Sequence, residues 1–127
     1  MRVRFVCGRC RALPNIQQLA DRLTHRCESL LRGRRFRIGI AQKALDLYLK
    51  YRWCIGLSAE PPLHCPFDAL MLKQVPRWRT KSWTKLDSID DYRDLVTAAR
   101  EAAEAQGYSS LAVWELDMYN KSLAGTR

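Results

Sequence analysis

The spacing of the apolar residues constrains the fold most, because they recur every three or four positions in several separate stretches. Such spacing places them on one side of an α-helix, so each stretch predicts an amphipathic helix. The first predicted helix runs from Asn15, which can cap its start, to Gly33, which can take a left-handed turn after its end. Its apolar stripe consists of Ile16, Leu19, Ala20, Leu23, Cys27, Leu30 and Leu31.

A second helix is predicted over residues 37–55, and it is apolar around most of its circumference. A helix of this kind is usually packed on two sides, so we expect it at the centre of the core. Gly56 and the pair Pro61 and Pro62 would end it. One stripe consists of Ile40, Ala44, Leu47, Tyr48 and Tyr51, widened by Ala41, Leu45, Leu49 and Cys54.

The segment that follows is ambiguous. Pro66 at a first helical position, with Asp68 near the positive end of the helix dipole, favours a short helix over about residues 66–74. The apolar run at residues 69–72 would also suit a buried strand, and periodicity cannot decide over so few residues.

Two more helices are predicted after residue 87. Ser88 and Asp91 resemble a capping box, and helical spacing then continues to Gly107. Ser109 or Ser110 can cap a last helix. The helix that begins after Ser88 has the apolar stripe Tyr92, Leu95, Val96, Ala99 and Ala103. The last helix has the apolar stripe Leu111, Trp114, Met118 and Tyr119.

These patterns predict an all-α, single-domain bundle of four to five helices around a central hydrophobic helix. We expect residues 1–12 to be a basic N-terminal extension, 13–123 the helical domain and 124–127 a tail. With 127 residues there is no room for two independent cores. No apolar run is long enough to span a membrane or to serve as a secretory signal, so a cytoplasmic location is expected.

The net charge of +9 is unevenly distributed. The balance is +10 over residues 1–58, +3 over residues 59–85 and −4 over residues 86–127. A basic front with an acidic end is typical of a protein that meets a polyanion on one side. Alternatively, the acidic end folds against the basic part and neutralises it.

Two basic segments are candidates for contact with nucleic acid. Guanidinium groups bind phosphate through two hydrogen bonds, and a tryptophan ring can stack on an unpaired base. The alternative is that the tryptophans pin their loop to the core, which is favoured for Trp83 and left open for Trp78. The candidate residues are Arg34, Arg35 and Arg37 at the junction of the first two helices, and Arg77, Trp78, Arg79 and Lys81 in the segment PRWRTKSWTK, residues 76–85.

The leading hypothesis is therefore a small, basic, non-catalytic module that contacts nucleic acid through phosphates. A protein–protein module is the alternative, in which the acidic C-terminal helix of one copy meets the basic face of another in a homodimer.

Cysteine and histidine residues offer no strong chemical motif. Cys7 and Cys10 have the spacing of a metal or redox pair, but the chain lacks a second pair with matching spacing and lacks a βαβ pattern. We therefore predict no metal and no cofactor. His64 and Cys65 are adjacent, and adjacent side chains rarely face one another as a nucleophile and its base must.

A basic helical bundle invites comparison with HEPN-type ribonucleases, whose motif places four to six residues between an arginine and a histidine. Arg22 lies three positions before His25 and Arg52 lies twelve before His64, so the motif is absent. An enzymatic function is therefore not favoured.

Four stretches, ALDLYLKYRWCIG, HCPFDALML, WTKLDSIDDYRDLV and LAVWEL, resemble a group of small uncharacterised bacterial proteins, some of them carried on integron cassettes. The resemblance covers about residues 37–120 and leaves Cys7 and Cys10 outside it. It implies a small helical protein of accessory function and assigns no functional residue.

Overall fold

The computed structural model of the chain describes residues 12–125, which form five α-helices and four short 3-10 turns without any strand. The helices are α1 (Ala12–Cys27), α2 (Ile38–Cys54), α3 (Ala69–Leu72), α4 (Ile89–Ala105) and α5 (Leu111–Ala124). The 3-10 turns are Glu28–Leu30, Arg32–Arg34, Pro76–Trp78 and Trp83–Lys85. The predicted all-α class is confirmed, whereas the predictions about Cys7 and Cys10 fall outside the described residues.

Helix α1 begins three residues earlier and ends six residues earlier than the limits Asn15 and Gly33 suggested. Its N-terminal stripe packs as predicted, with Ile16 and Ala20 fully buried. Leu30 is 85% exposed, so the predicted stripe was wrong at this end. The reason is that regular helix stops at Cys27, and the 3-10 turn that follows changes the direction of the chain.

Helix α2 contacts α1, α4 and the Trp83–Lys85 turn, as expected for a central helix. The side of α2 that faces the core was predicted wrongly, however, because Tyr48 and Tyr51 are 47% and 58% exposed. The buried side is polar as well as apolar, and its polar members find partners inside the protein. The buried residues are Ile38, Gly39, Ala41, Gln42, Leu45, Asp46 and Lys50.

The ambiguous segment contains a helix and not a strand, but α3 has only four residues. Asp68 is its N-cap, and the Asp68 Oδ1 atom accepts a hydrogen bond from the Met71 backbone N–H at 3.2 Å. Pro66 therefore lies outside the helix and not at its first position. Met71 and Leu72 are buried in the core.

The last two helices follow the predicted limits closely. Ser88 and Ser110 are the N-caps of α4 and α5, and each side chain accepts a hydrogen bond from a backbone N–H three residues later, at 3.3 Å. Gly107 has a φ of 87°, the left-handed conformation that lets the chain reverse after α4. All five residues of the predicted α4 stripe are buried.

The segment before α4 is fixed to the start of α2 by a close backbone approach. The Gly39 N–H donates to the Leu86 carbonyl at 2.7 Å, and a Cβ atom at position 39 would overlap the Trp83 carbonyl oxygen. Only glycine therefore permits this contact, which holds residues 83–87 beside the first turn of α2. None of the helices in the described part of the chain is both long and apolar enough to cross a membrane.

Candidate nucleic-acid interface

The fold brings the two predicted basic segments together. Arg37 lies immediately before α2, and its Nη1 atom donates to the Thr84 carbonyl at 3.3 Å. The Ile38 N–H donates to Asp87 Oδ1, also at 3.3 Å. The end of the segment at residues 34–37 thus lies beside the end of the segment at residues 76–85, where the contacting residues Arg37 and Thr84 are 47 positions apart in sequence.

This region is rich in cations that have no acidic partner. Residues 69–86 contain five lysines and arginines and no aspartate or glutamate. All five are exposed, and none forms an ion pair or a side-chain hydrogen bond with another described residue. They are Lys73, Arg77, Arg79, Lys81 and Lys85.

Arg35 differs from its neighbours because its charge is already paired. Its Nε atom lies 2.7 and 2.9 Å from the two carboxylate oxygens of Asp87, and Asp21 is 3.6 Å away. The hydrogen bond to Asp87 raises the pKa of Arg35, as do the charges of both acids. Arg35 therefore ties the start of α2 to the segment before α4. Arg34 is exposed and, among residues 12–125, has no side-chain partner.

Both tryptophans of PRWRTKSWTK pack against the protein itself. Trp78 is only 8% exposed and belongs to the core, and the Lys81 ammonium lies 4.3 Å from its ring centroid. Trp83 is half-buried against the core, with the Lys43 ammonium 5.0 Å from its ring centroid. In this conformation Trp78 presents no open ring face to a base, so we leave it out of the candidate interface.

A buried polar stripe on α2 was not recognised from the sequence. It consists of Gln42, Asp46 and Lys50, spaced four residues apart. The Gln42 side-chain amide donates to the Phe67 carbonyl at 2.7 Å and accepts from the Phe67 N–H at 3.0 Å. The regular four-residue spacing of these three polar residues, in a helix that is apolar around most of its circumference, was the available signal.

Lys50 forms a buried ion pair that joins α2 to α5. Its Nζ atom donates to Glu115 Oε1 at 3.0 Å and lies 2.9 Å from Oε2, where the bond angles do not make a hydrogen bond. Burial raises the pKa of Glu115, and the hydrogen bond from Lys50 opposes that shift. The pair is a direct buried link between α2 and α5.

Asp46 starts a chain of hydrogen bonds that joins α2, α4 and the loop between α2 and α3. Tyr92 of α4 donates its hydroxyl proton to Asp46 Oδ2 at 3.1 Å, and His64 Nδ1 lies 2.9 Å from the same hydroxyl. Burial raises the pKa of Asp46 well above its usual range. Burial also lowers the pKa of His64 to about 4, and the charge of Arg100 makes a smaller contribution to this second shift. Asp46 Oδ1 is buried and has no hydrogen-bond partner among residues 12–125.

The hydrogen bonds among Asp46, Tyr92 and His64 stabilise the interior, and they offer no nucleophile. His64 Nδ1 faces Tyr92, while burial raises the pKa of the Cys65 thiol well above its usual range. Within residues 12–125, both His64 and Cys65 are buried. Residues 12–125 also contain no cluster of three or more histidines, cysteines or acids that could hold a metal ion.

Comparison with known proteins gives no match: no family model, curated protein or solved structure is significantly similar to this chain. The resemblance to integron-cassette proteins stays a prediction.

Proposed function

We propose that this protein binds nucleic acid through the phosphate backbone. The observation that carries the proposal is the acid-free stretch at residues 69–86, whose exposed cations have no acidic partner within the described chain. Arg34 and Arg37 extend the same surface from the other side of the α2 junction. The contacting residues would be Arg34, Arg37, Arg77, Arg79 and Lys81.

The anchoring of this surface supports contact with phosphates over contact with bases. Trp78 and Trp83 hold the segment against the core, so its cations project from a fixed backbone. Because Trp78 is buried, base stacking would contribute little. Phosphate contacts position a protein on nucleic acid without reading its sequence. We therefore expect binding that depends weakly on sequence and strongly on salt.

Paired charge reversals test which surface binds. Arg77→Glu with Arg79→Glu lowers the net charge by four, and Arg52→Glu with Lys121→Glu lowers it equally. Arg52 and Lys121 lie in the last turns of α2 and α5, whereas Arg37 lies at the start of α2, roughly 22 Å from Arg52 along the helix. Fluorescence anisotropy with a labelled duplex at about 50 mM salt measures the affinity of each variant.

The first pair should weaken binding at least about tenfold, and the control pair less than about threefold. Equal losses would show that only net charge matters and would contradict an interface at residues 76–85. Wild-type protein that binds neither DNA nor RNA at about 50 mM salt would end the proposal.

Self-association is the second candidate function. The charges favour α4, and not the C-terminal helix α5, as the acidic partner of the basic face of a second copy. In α5, Glu115 pairs with Lys50, and Asp117 accepts a hydrogen bond from Tyr108 at 2.8 Å, so both acids of the last helix are used internally. The acids available to the cations of a second copy are exposed on α4. They are Asp91, Asp94, Glu101 and Glu104.

Sedimentation at two salt concentrations tests this second candidate, because pairing through charge should weaken as salt rises. Dimers at low salt that dissociate at high salt would support it. A monomer at low salt and micromolar concentration would exclude it.

A further inference from the structure

A cleft in the described part of the chain lies where α1 ends. It is an open cleft of about 330 Å³, and its lining is entirely polar or charged. The lining residues come from the last turn of α1 and from the two 3-10 turns that follow it: His25, Arg26, Glu28, Ser29 and Arg34. Two of these five side chains are guanidinium cations, and one is an acid.

Arg34 reaches the cleft from an unfavourable backbone conformation. Its φ of 57° makes it the one non-glycine residue at positive φ in the described chain. Gly33, with a φ of 69°, precedes it in the same turn. A left-handed conformation costs an arginine roughly 1–2 kcal/mol, a cost that glycine at position 34 would avoid. The fold therefore does not require arginine here.

From this arrangement we propose that the cleft binds a phosphate monoester, such as the terminal phosphate of a nucleic-acid strand. Arg34 and Arg26 would donate to the phosphate oxygens from two elements, while His25 and Ser29 supply further donors. A monoester carries about −1.5 to −2 charges at neutral pH and has three acceptor oxygens, so it benefits more than a diester from several convergent donors.

This inference adds a specific ligand to the proposed function and rests on that function, because Arg34 also belongs to the phosphate-binding surface. A strand held at Arg34 and Arg37 would have its end beside the cleft, because Arg34 lines it. The protein would then distinguish a phosphorylated end from a hydroxyl end. Glu28 is the one acid in the lining, and its carboxylate would repel the monoester.

Two duplexes of one sequence, with a 5′-phosphate or a 5′-hydroxyl, test the inference by anisotropy. The wild-type protein should bind the phosphorylated duplex about tenfold more tightly, which corresponds to about 1.4 kcal/mol. Arg34→Gly should abolish the ratio without destabilising the fold, since glycine relieves the strained turn. Thermal unfolding of the variant checks that the fold is retained. Glu28→Gln should increase the ratio.

Arg79→Glu is the matched control, because it should weaken both duplexes equally and leave the ratio near ten. Tight but equal binding of the two duplexes by the wild type would overturn this inference and leave the proposed function standing. Binding of neither duplex would overturn the proposed function. A ratio that survives in folded Arg34→Gly would show that the cleft is not the monoester site. Free adenosine monophosphate, titrated by calorimetry, shows whether the cleft also takes the monoester without a strand.

Discussion

Asp46 is an unusual residue because its carboxyl group is fully buried and only one of its oxygens accepts a hydrogen bond. A buried acceptor without a partner costs about 1–3 kcal/mol, and a charged one costs more. Burial therefore favours the protonated form and raises the pKa of Asp46. Between the unfolded and folded pKa values, the native state holds more protons than the unfolded state, so the stability that Asp46 contributes falls as pH rises.

Asp46→Asn should remove the loss of stability that occurs as pH rises, because an amide can accept a hydrogen bond from Tyr92 and never ionises. We expect the free energy of unfolding to rise by about 1–3 kcal/mol at pH 8, and by less at pH 5. Urea denaturation of both proteins at the two pH values measures the difference. A variant that is destabilised more at pH 8 than at pH 5 would show that the ionised carboxylate stabilises the fold.

His64 has the opposite dependence on pH. Its pKa is about 4 in the folded protein and 6.5 ordinarily, so the unfolded state takes up the proton first as pH falls. The stability that the neutral His64 side chain contributes is fully present above about pH 6.5, and it is lost as pH falls from there towards 4. At pH 5 the loss amounts to about 2 kcal/mol, since one pKa unit corresponds to about 1.4 kcal/mol.

His64→Gln cannot take up this proton, so the wild type should lose about 2 kcal/mol relative to the variant between pH 7 and pH 5. Denaturation of the two proteins at both pH values gives that difference. An unchanged difference would mean that His64 titrates normally in the folded protein.

At the scale of the elements, the contact between α2 and residues 83–87 depends on Gly39. Gly39→Ala would drive a Cβ atom into the Trp83 carbonyl and separate the two backbones. The hydrogen bond from Gly39 to Leu86 would lengthen or break. We expect a loss of roughly 2–4 kcal/mol, in the range of other severe steric changes in a core.

Gly125→Ala is the control for this substitution, because position 125 has an ordinary φ of −74° and a Cβ atom there would make normal contacts. Chemical denaturation should show little change for the control. A similar, small effect of both substitutions would contradict the close approach at Gly39.

The ion pair between Lys50 and Glu115 is a buried link between α2 and α5. Lys50→Met alone would leave the Glu115 carboxylate buried without its partner, which should cost about 3–5 kcal/mol. Lys50→Met together with Glu115→Leu removes both charges and should recover most of that loss. Denaturation of the two variants measures the recovery. A double variant as unstable as the single one would show that the charges themselves hold the helices.

Helix limits could be predicted where local signals determine them. Ser88, Ser110 and Gly107 act within one turn of the chain, and they occupy the predicted positions in the structure. The orientation of α2 could not be predicted, because its apolar residues cover most of the helix and tertiary partners decide which side is buried. Those partners, Phe67, Tyr92 and Glu115, lie 25, 46 and 65 residues away from the α2 residues they bind.

At the scale of the whole molecule, the fold separates two kinds of cation. Arg35, Lys43 and Lys50 pair with acids and stabilise the packing of the helices. The cations of residues 73–85 stay exposed and unpaired among the described residues. Composition predicts the total charge but cannot distinguish the two kinds. The roles of Arg35 and Trp78 could not be read from the sequence, because both depend on neighbours that only the fold supplies.

The salt dependence of duplex binding tests the central claim most directly. Each phosphate contact adds about 0.9 to the slope of log affinity against log salt, so five cations predict a slope of roughly −4.5. Arg77→Glu with Arg79→Glu should reduce the slope to about −2.7, because two contacts are removed. A wild-type slope near zero, or one that the double variant leaves unchanged, would contradict binding through the phosphates at this surface.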